Sequence, residues 1–289
     1  MAIDGLVVMD KEPAWTSHDV VAKCRGIFGQ RRVGHAGTLD PDATGVLLVG
    51  LGRVTRLLRF LTVLPKTYTA EVVLGVATST LDASGTVTGE WDMAGVPVAE
   101  VRTAALQFVG PIMQIPPMVS AVKIGGKRLH QLARAGLEVE REARPVVVHR
   151  FDVEDTSEPG VVSIEVECSS GTYVRTLAAD LGAALGGGAH LRALRRTAIG
   201  SFTTAEATVI GALGEGVVLT PAAALRDYAA VTVAPEVAAD VAHGKVLDDS
   251  RLGVSGDGPW PVVDEDGRLL AVYERHGEGR AKPSVVLAS

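Results

Sequence analysis

The 289 residues, 47% hydrophobic and 21% charged, suit one large domain with a small one and exclude a disordered or fibrous chain. Cys24 and Cys168 are solitary and far apart, which excludes a disulfide framework or a cysteine zinc site and points to a reducing cytoplasm. The formal charge of −6 argues by itself against nucleic acid, yet residues 201–289, with 13 acidic and 7 basic side chains, account for all of it.

The opening "MAIDGLVVMDKEP" has no basic start followed by an apolar core, so no signal peptide is expected. No run approaches the roughly 20 apolar residues of a membrane span. "LVVMDKEP" predicts a short buried strand stopped by Pro13. Ser17 is placed to cap a helix in which Val20, Val21, Cys24, Ile27 and Phe28 follow helical spacing. After a glycine-rich loop, "GVLLVGLG" predicts a strand covered on both faces, and "VTRLLRFLTVL" has helical period. "KTYTAEVVLGVAT" is extended, residues 98–108 read as a helix, and "GPIMQIPPMVSAVKI" as a proline-punctuated extended segment. "KRLHQLARAG" is a short basic helix ended by Gly136. "RPVVVHRFDVED" and "VVSIEVECSSG" read as paired strands. "TYVRTLAADLGAALG" is a helix with Val174, Leu177, Ala178, Leu181 and Leu185 on one face. Strands and helices mix without a βαβ beat, which predicts a large α+β domain to about residue 225. A small, mostly β module follows from about 230, with a hairpin turn at Asp266-Gly267.

Cofactor and nucleophile signatures are missing. There is no phosphate loop. Gly50 and Gly52 open a G-x-G that fails at Thr55, and no zinc spacing or G-x-S-x-G occurs. A carboxylate remains, in "GHAGTLDPDATG" at 34–45. Pro41 pushes Asp40 into an extended conformation. Either Asp40 caps a short helix starting at Pro41, or it is a reactive carboxylate held by a rigid loop. Gly37 and Gly45 admit close approach of a backbone or a substrate, and His35 lies on the same segment. A carboxylate nucleophile needs a cation beside it. Arg175 starts a helix whose small residues Ala178, Ala179 and Gly182 let it lie close to a sheet, leaving the guanidinium partly desolvated; the alternative is a solvated charge. Tyr68 is suited to stacking on a base or moving a proton, or is an ordinary half-buried strand tyrosine. Three runs carry cations and no acids: 20–39 (Lys23, Arg25, Arg31, Arg32), 101–137 (Arg102, Lys123, Lys127, Arg128, Arg134) and the stretch of Arg192, Arg195 and Arg196. They form either a phosphate-binding face or solvated surfaces.

Ordered matches over roughly residues 4–205 carry a resemblance. "GHAGTLDPDATGVLLVGLGRVTRLL" resembles the central motif of the TruB family of tRNA pseudouridine synthases. "DKEPAWTSHDVV", "KTYTAEVVLGVATSTLDASG", "PPMVSAVKIGGKRLHQLARAG", "GTYVRTLAADLG" and "GAHLRALRRTAIGSF" resemble that family's other segments in order. The resemblance implies a mixed, mainly antiparallel sheet flanked by helices over 1–228, with a T-arm-binding insertion at about 110–145. It implies a small PUA-like domain over 229–289. By the same resemblance Asp40 is the catalytic aspartate, Tyr68 stacks on the target base and Arg175 pairs with the aspartate. His35 helps hold the T-loop open, and Gly37, Thr38 and Leu39 flank the substrate. Tyr173 and Leu194 lie near the pocket, and Lys123, Lys127 and Arg128 touch RNA. The implied reaction is isomerisation of uridine to pseudouridine at position 55 of tRNA after the base leaves the stack. No metal or cofactor is implied. The expected enzyme is a cytoplasmic monomer whose partner is the tRNA T-arm; the acidic C-terminal module either touches the acceptor stem through a limited patch or is mainly structural. The rivals are a guide-RNA-dependent relative, against which the insertion argues, and a tRNA-folding protein, against which the set Asp40, Tyr68 and Arg175 argues.

Overall fold

The computed structural model describes residues 2–120 and 122–287. In chain order the elements begin with β1 (Gly5–Lys11), α1 (Ser17–Ile27), β2 (Val33–Ala36), β3 (Thr44–Leu51), α2 (Leu58–Thr62), β4 (Lys66–Leu74), β5 (Val76–Thr78) and β6 (Val87–Glu90). There follow α3 (Val98–Leu106), β7 (Gly110–Gln114), β8 (Lys123–Ile124), β9 (Lys127–Arg128), α4 (Leu129–Arg134), β10 (Arg144–Asp155), β11 (Val161–Cys168), α5 (Val174–Ala184) and β12 (Ala189–Ile199). The last are β13 (Phe202–Thr203), β14 (Val231–Thr232), α6 (Pro235–Ala242), β15 (Leu247–Asp248), α7 (Asp249–Leu252), β16 (Trp260–Val263), β17 (Leu269–Arg275) and β18 (Arg280–Val286). The chain forms two compact units: Met1–Pro41 with Val46–Val63 and Gly200–Ser289, and Asp42–Gly45 with Leu64–Ile199.

In the first unit β3 runs beside β1 and antiparallel to β2, with His35 opposite Val49. β3 is buried along nearly its whole length, as its unbroken apolar run predicts. Val7, Met9, Val20, Val21, Cys24, Leu47 and Val49 share one core with it. Helix α1 begins as expected, but its cap is Thr16 and not Ser17. Thr16 is extended; its hydroxyl accepts from the Asp19 N–H at 3.1 Å, while the Asp19 carboxylate takes the Thr16 N–H at 2.9 Å. The hydrogen bonds from Thr16 hold the Asp19 carboxyl below its ordinary range. Ser17 becomes the first helical residue, and its hydroxyl is spent elsewhere. The helical period of "VTRLLRFLTVL" resolves into a 3-10 turn over Gly52–Arg56 and the short α2.

The C-terminal residues of the first unit form a sheet in the order β14-β16-β17-β18-β15, over a core that includes Val241, Leu247, Trp260, Val262 and Tyr273. The expected hairpin joins β16 to β17, with the Gly267 N–H donating to the Asp264 carbonyl at 2.9 Å. The 3-10 turn and α2 anchor this sheet. Arg53 donates to the Leu287 carbonyl (2.6 Å), Arg56 to that of Val286 (2.7 Å), and Arg59 pairs with Glu274 (2.9 Å).

The second unit is built on β12-β4-β11-β10-β7, antiparallel at each step. At the start of β3, Thr44 and Gly45 pair in parallel with Arg195 and Arg196 of β12. β4 alternates strictly between buried and half-buried residues, so Lys66, Tyr68, Ala70, Val72 and Leu74 share the inward face. Helix α5 packs on β12 where Gly182 removes the obstacle: a Cβ there would sit 2.4 Å from the Ala189 nitrogen. This is the close approach that the small residues of "RTLAADLG" predict. α4 also forms, but it begins at Leu129, since Lys127 and Arg128 pair in β9 instead of opening the helix; Gly136 just beyond it has φ +70°.

Candidate active site

Asp40 belongs to the first unit and lies in neither helix nor strand: β2 ends at Ala36 and β3 begins at Thr44. No helix follows Pro41, so the capping alternative for Asp40 falls. Asp40 is half-buried, as are His35 and Gly37, whereas Thr38 is exposed and Leu39 buried. Gly37 has φ +78° and Gly45 φ +101°. A Cβ at Gly45 would fall 2.1 Å from the Arg196 carbonyl oxygen, so this glycine lets two backbones meet.

Side chains from the β1–α1 segment hold the residues on both sides of Asp40. The Ser17 hydroxyl accepts from the Leu39 N–H (2.9 Å) and donates to the Leu39 carbonyl (3.3 Å). Lys11 is fully buried, and its ammonium donates to the carbonyls of Pro41 (2.7 Å), Trp15 (2.7 Å) and Glu12 (2.9 Å). His35 meets His18 edge to face, with ring centroids 5.4 Å apart.

The second unit holds Tyr68, Arg175, Tyr173 and Leu194. Arg175 sits in the first turn of α5 with only 4% of its side chain exposed. A buried cation at a helix start works against the helix dipole and needs acceptors. It donates to the Thr80 carbonyl (3.0 Å), the Val119 carbonyl (2.7 Å) and the Asp82 carboxylate (3.2 Å). Asp82 is itself fixed: its other oxygen accepts from the Thr80 hydroxyl (2.5 Å) and from the Ser84 N–H (3.1 Å) and hydroxyl (2.6 Å). The solvated-charge alternative for Arg175 therefore falls. Tyr173 is the α5 N-cap, and its backbone is held by a side chain of β7. Gln114, buried at the end of β7, accepts its N–H (2.7 Å) and donates to its carbonyl (3.1 Å).

Tyr68 is 9% exposed, opposite Val166 of β11 on one side and Arg196 of β12 on the other. Leu194 stands opposite Ala70, so Leu194 and Arg196 share the Tyr68 face of the sheet. That face carries two buried cations, Arg196 and Lys66. Burial, with the Arg196 charge adding to it, pushes the Lys66 ammonium down to about 8. Burial also raises the Cys168 thiol to about 11.

The acid-free runs differ in fate. In the first, Lys23, Arg31 and Arg32 stay exposed, and Arg25 donates to the Val33 carbonyl at 3.2 Å. In the third, Arg196 is buried, Arg192 is ion-paired to Glu71 (2.9 Å) and Glu158 (2.7 Å), and the half-buried Arg195 donates to the Thr44 hydroxyl at 3.4 Å. The side chains of Lys123, Lys127 and Arg128 lie outside the described residues. Sequence reasoning missed Lys11, Asp82 and Gln114 and misassigned Ser17. Only Lys11 left a local signal, a lysine ending an apolar strand. Among the described residues no group of His, Cys, Asp and Glu side chains could hold a metal ion, and no helix is long and apolar enough to cross a membrane.

The chain matches the TruB family pseudouridylate synthase N-terminal domain over residues 25–174 and the tRNA pseudouridylate synthase B C-terminal domain over residues 175–226. It is 46% identical over 293 residues to tRNA pseudouridine synthase B of Nocardia farcinica, covering 99% of this chain and 94% of that one. It is 44% identical to the protein of the same name from Thermobifida fusca, covering 99% of each. Among solved structures, a chain in a crystal structure of a Cbf5-Nop10-Gar1 complex is similar with a TM-score of 0.75 and 26% identity, over 98% of this chain and 83% of that one. A pseudouridine-synthase sheet, a loop-borne aspartate and full-length relatives of one name agree: this chain belongs to the TruB family of pseudouridylate synthases.

Proposed function

We propose that this chain isomerises uridine to pseudouridine at position 55 in the T-loop of tRNA, with Asp40 as the reacting carboxylate. The observation that carries the reading is the loop at 37–41, where Asp40 stands outside regular structure between two residues with tethered carbonyls. Such tethering is useful when a group must be aimed. The target nucleotide is extruded, at an unstacking cost of a few kcal/mol. The C1′–N1 bond breaks, the uracil turns, C5 bonds to C1′, and the C5 proton passes to N1 by way of a base and solvent. No electron is gained or lost. Tyr68 stacks on the flipped uracil and takes part in the proton transfer, and Arg175 supplies the positive charge that keeps the carboxylate ionised. His35, Gly37, Thr38, Leu39, Tyr173 and Leu194 shape the nucleotide's surroundings. Lys123, Lys127 and Arg128 of the insertion grip T-arm phosphates.

The catalytic domain in this reading spans 1–228, and the module at 229–289 is PUA-like. Its role is chiefly structural: Lys245 and Arg251 pair with Asp240, Arg268 with Asp264 and Asp266, and Arg275 with Asp249, so most of its basic side chains are matched by acids of the same module. Buried thiols at Cys24 and Cys168 suit a cytoplasmic enzyme, which acts as a monomer.

Pseudouridine mapping on an unmodified tRNA transcript, incubated with the purified chain alone, tests the reading. Product at position 55 is expected without any guide RNA or partner protein. Asp40→Asn is expected to bind the transcript within several-fold of wild type and to form no product. Substantial turnover by that variant, or a requirement for a guide, would overturn it.

A further inference from the structure

We propose that Ser17 is a positioning residue for Asp40, setting the orientation of the carboxylate from the first turn of α1. The proposal rests on the reading of Asp40 as the reacting group. Leu39 is 4% exposed and belongs to no strand, so its buried N–H and C=O find no ladder partner. One hydroxyl meets both: Ser17, 1% exposed, accepts from the N–H at 2.9 Å and donates to the C=O at 3.3 Å. These bonds fix the peptide planes on either side of the Leu39 Cα, and the second of those planes is the one that joins Leu39 to Asp40. Lys11 holds the Pro41 carbonyl on the far side at 2.7 Å. Asp40 thus stands between two residues whose backbone groups are held by side chains of β1 and α1.

Serine at the helix start is commonly a cap, but Thr16 already performs that task through its box with Asp19. Ser17 is therefore released from helix stability and serves the loop. The two adjacent hydroxyls have separable roles, and the separation can be measured.

Ser17→Ala and Thr16→Ala are compared by single-turnover kinetics on unmodified tRNA, by tRNA binding and by thermal melts. Ser17→Ala is expected to lower the rate of pseudouridine formation roughly ten- to a hundredfold, as a displacement of about 1 Å does. KM and Kd should stay within twofold. Thr16→Ala should lower the melting temperature and leave the rate within twofold. Wild-type rate in a folded Ser17→Ala, or equal losses of rate in both variants, overturns the proposal. Should Ser17→Ala fail to fold, Ser17→Cys fills the same space with a weak donor and acceptor and carries the same expectation and the same refutation. Turnover by Asp40→Asn would sink the underlying reading. An inactive Asp40→Asn beside a fully active Ser17→Ala would sink the positioning role alone.

Discussion

Arginine is used in opposite ways in the second unit and in the C-terminal sheet. Arg175 has 4% of its side chain exposed and draws on two carbonyls and one carboxylate supplied by segments distant in sequence. Arg268, with 75% exposed, pairs with Asp264 and Asp266 a few residues away. The first arrangement depends on the whole unit being assembled, and removing a partner strands a buried charge. The second is a local pair in water, where attraction and side-chain entropy nearly cancel. The chemistry of each arginine follows from its desolvation, not from the composition of its region.

The comparison breaks most visibly at Arg175. Arg175→Ala is expected to lower the single-turnover rate by at least about a thousandfold and to cost roughly 3–5 kcal/mol in denaturant unfolding. Arg175→Lys should rescue poorly, because an ammonium lacks the planar fork that reaches Thr80, Asp82 and Val119 together. A lysine variant as active and as stable as wild type would mean that Arg175 is an ordinary charge.

Lys66 sharpens the contrast through pH. Its folded value of about 8 lies below the 10.5 of an unperturbed lysine. Below about pH 8 both states hold the proton and the burial penalty is constant; between about 8 and 10.5 only the unfolded chain holds it, so stability rises with pH. The rise from this group is about 3 kcal/mol on the scale of one pKa unit per 1.36 kcal/mol. Lys66→Met should remove that contribution in urea melts taken from pH 7.5 to 9, below the range where the buried Cys24 and Cys168 thiols oppose it, and an unchanged slope would place the ammonium in water.

Asp82→Asn comes next. The amide keeps an oxygen for the turn at 80–84 but loses the charge that faces Arg175. A roughly ten- to hundredfold loss of rate and about 1–3 kcal/mol of stability are expected, with tRNA affinity unchanged in a filter-binding assay. Affinity loss without rate loss would show that Asp82 serves binding. At the other extreme, Arg268→Ala should leave the melting temperature within about 1 °C and the salt dependence of tRNA binding unaltered. A flattened salt slope would return the C-terminal sheet to the RNA interface.

Local chemistry made much of this molecule legible in advance. The apolar run of β3, the small residues of α5, the glycine after α4 and the Asp266-Gly267 turn each act within a few residues, and each appears in the structure as its residues predict. Ser17 shows where such reading stops: Thr16 and Ser17 are equally good caps by type, and the choice is made by Leu39, 22 residues away. Gln114 meets Tyr173 across 59 residues and Asp82 meets Arg175 across 93. The run at Arg192 looked open because its neutralising Glu71 and Glu158 are remote in sequence. Polar tertiary partners leave no period in a chain, so resemblance pointed to Asp40, Tyr68 and Arg175 while the groups that support them stayed hidden.

The parallel pairing of Thr44 and Gly45 with Arg195 and Arg196 has a consequence for the order of assembly. Arg195 and Thr44 are 151 residues apart, so closing this contact carries the loop-entropy cost of a large ring and forms slowly. On the ribosome the loop bearing Asp40 emerges long before the strand that finishes it. The nascent chain therefore holds its carboxylate on an unfinished segment until β12 is made. The machinery that will act on tRNA matures only once β12 has been made, and pulse-labelled amide exchange during refolding should find Gly45 protected late, together with β12.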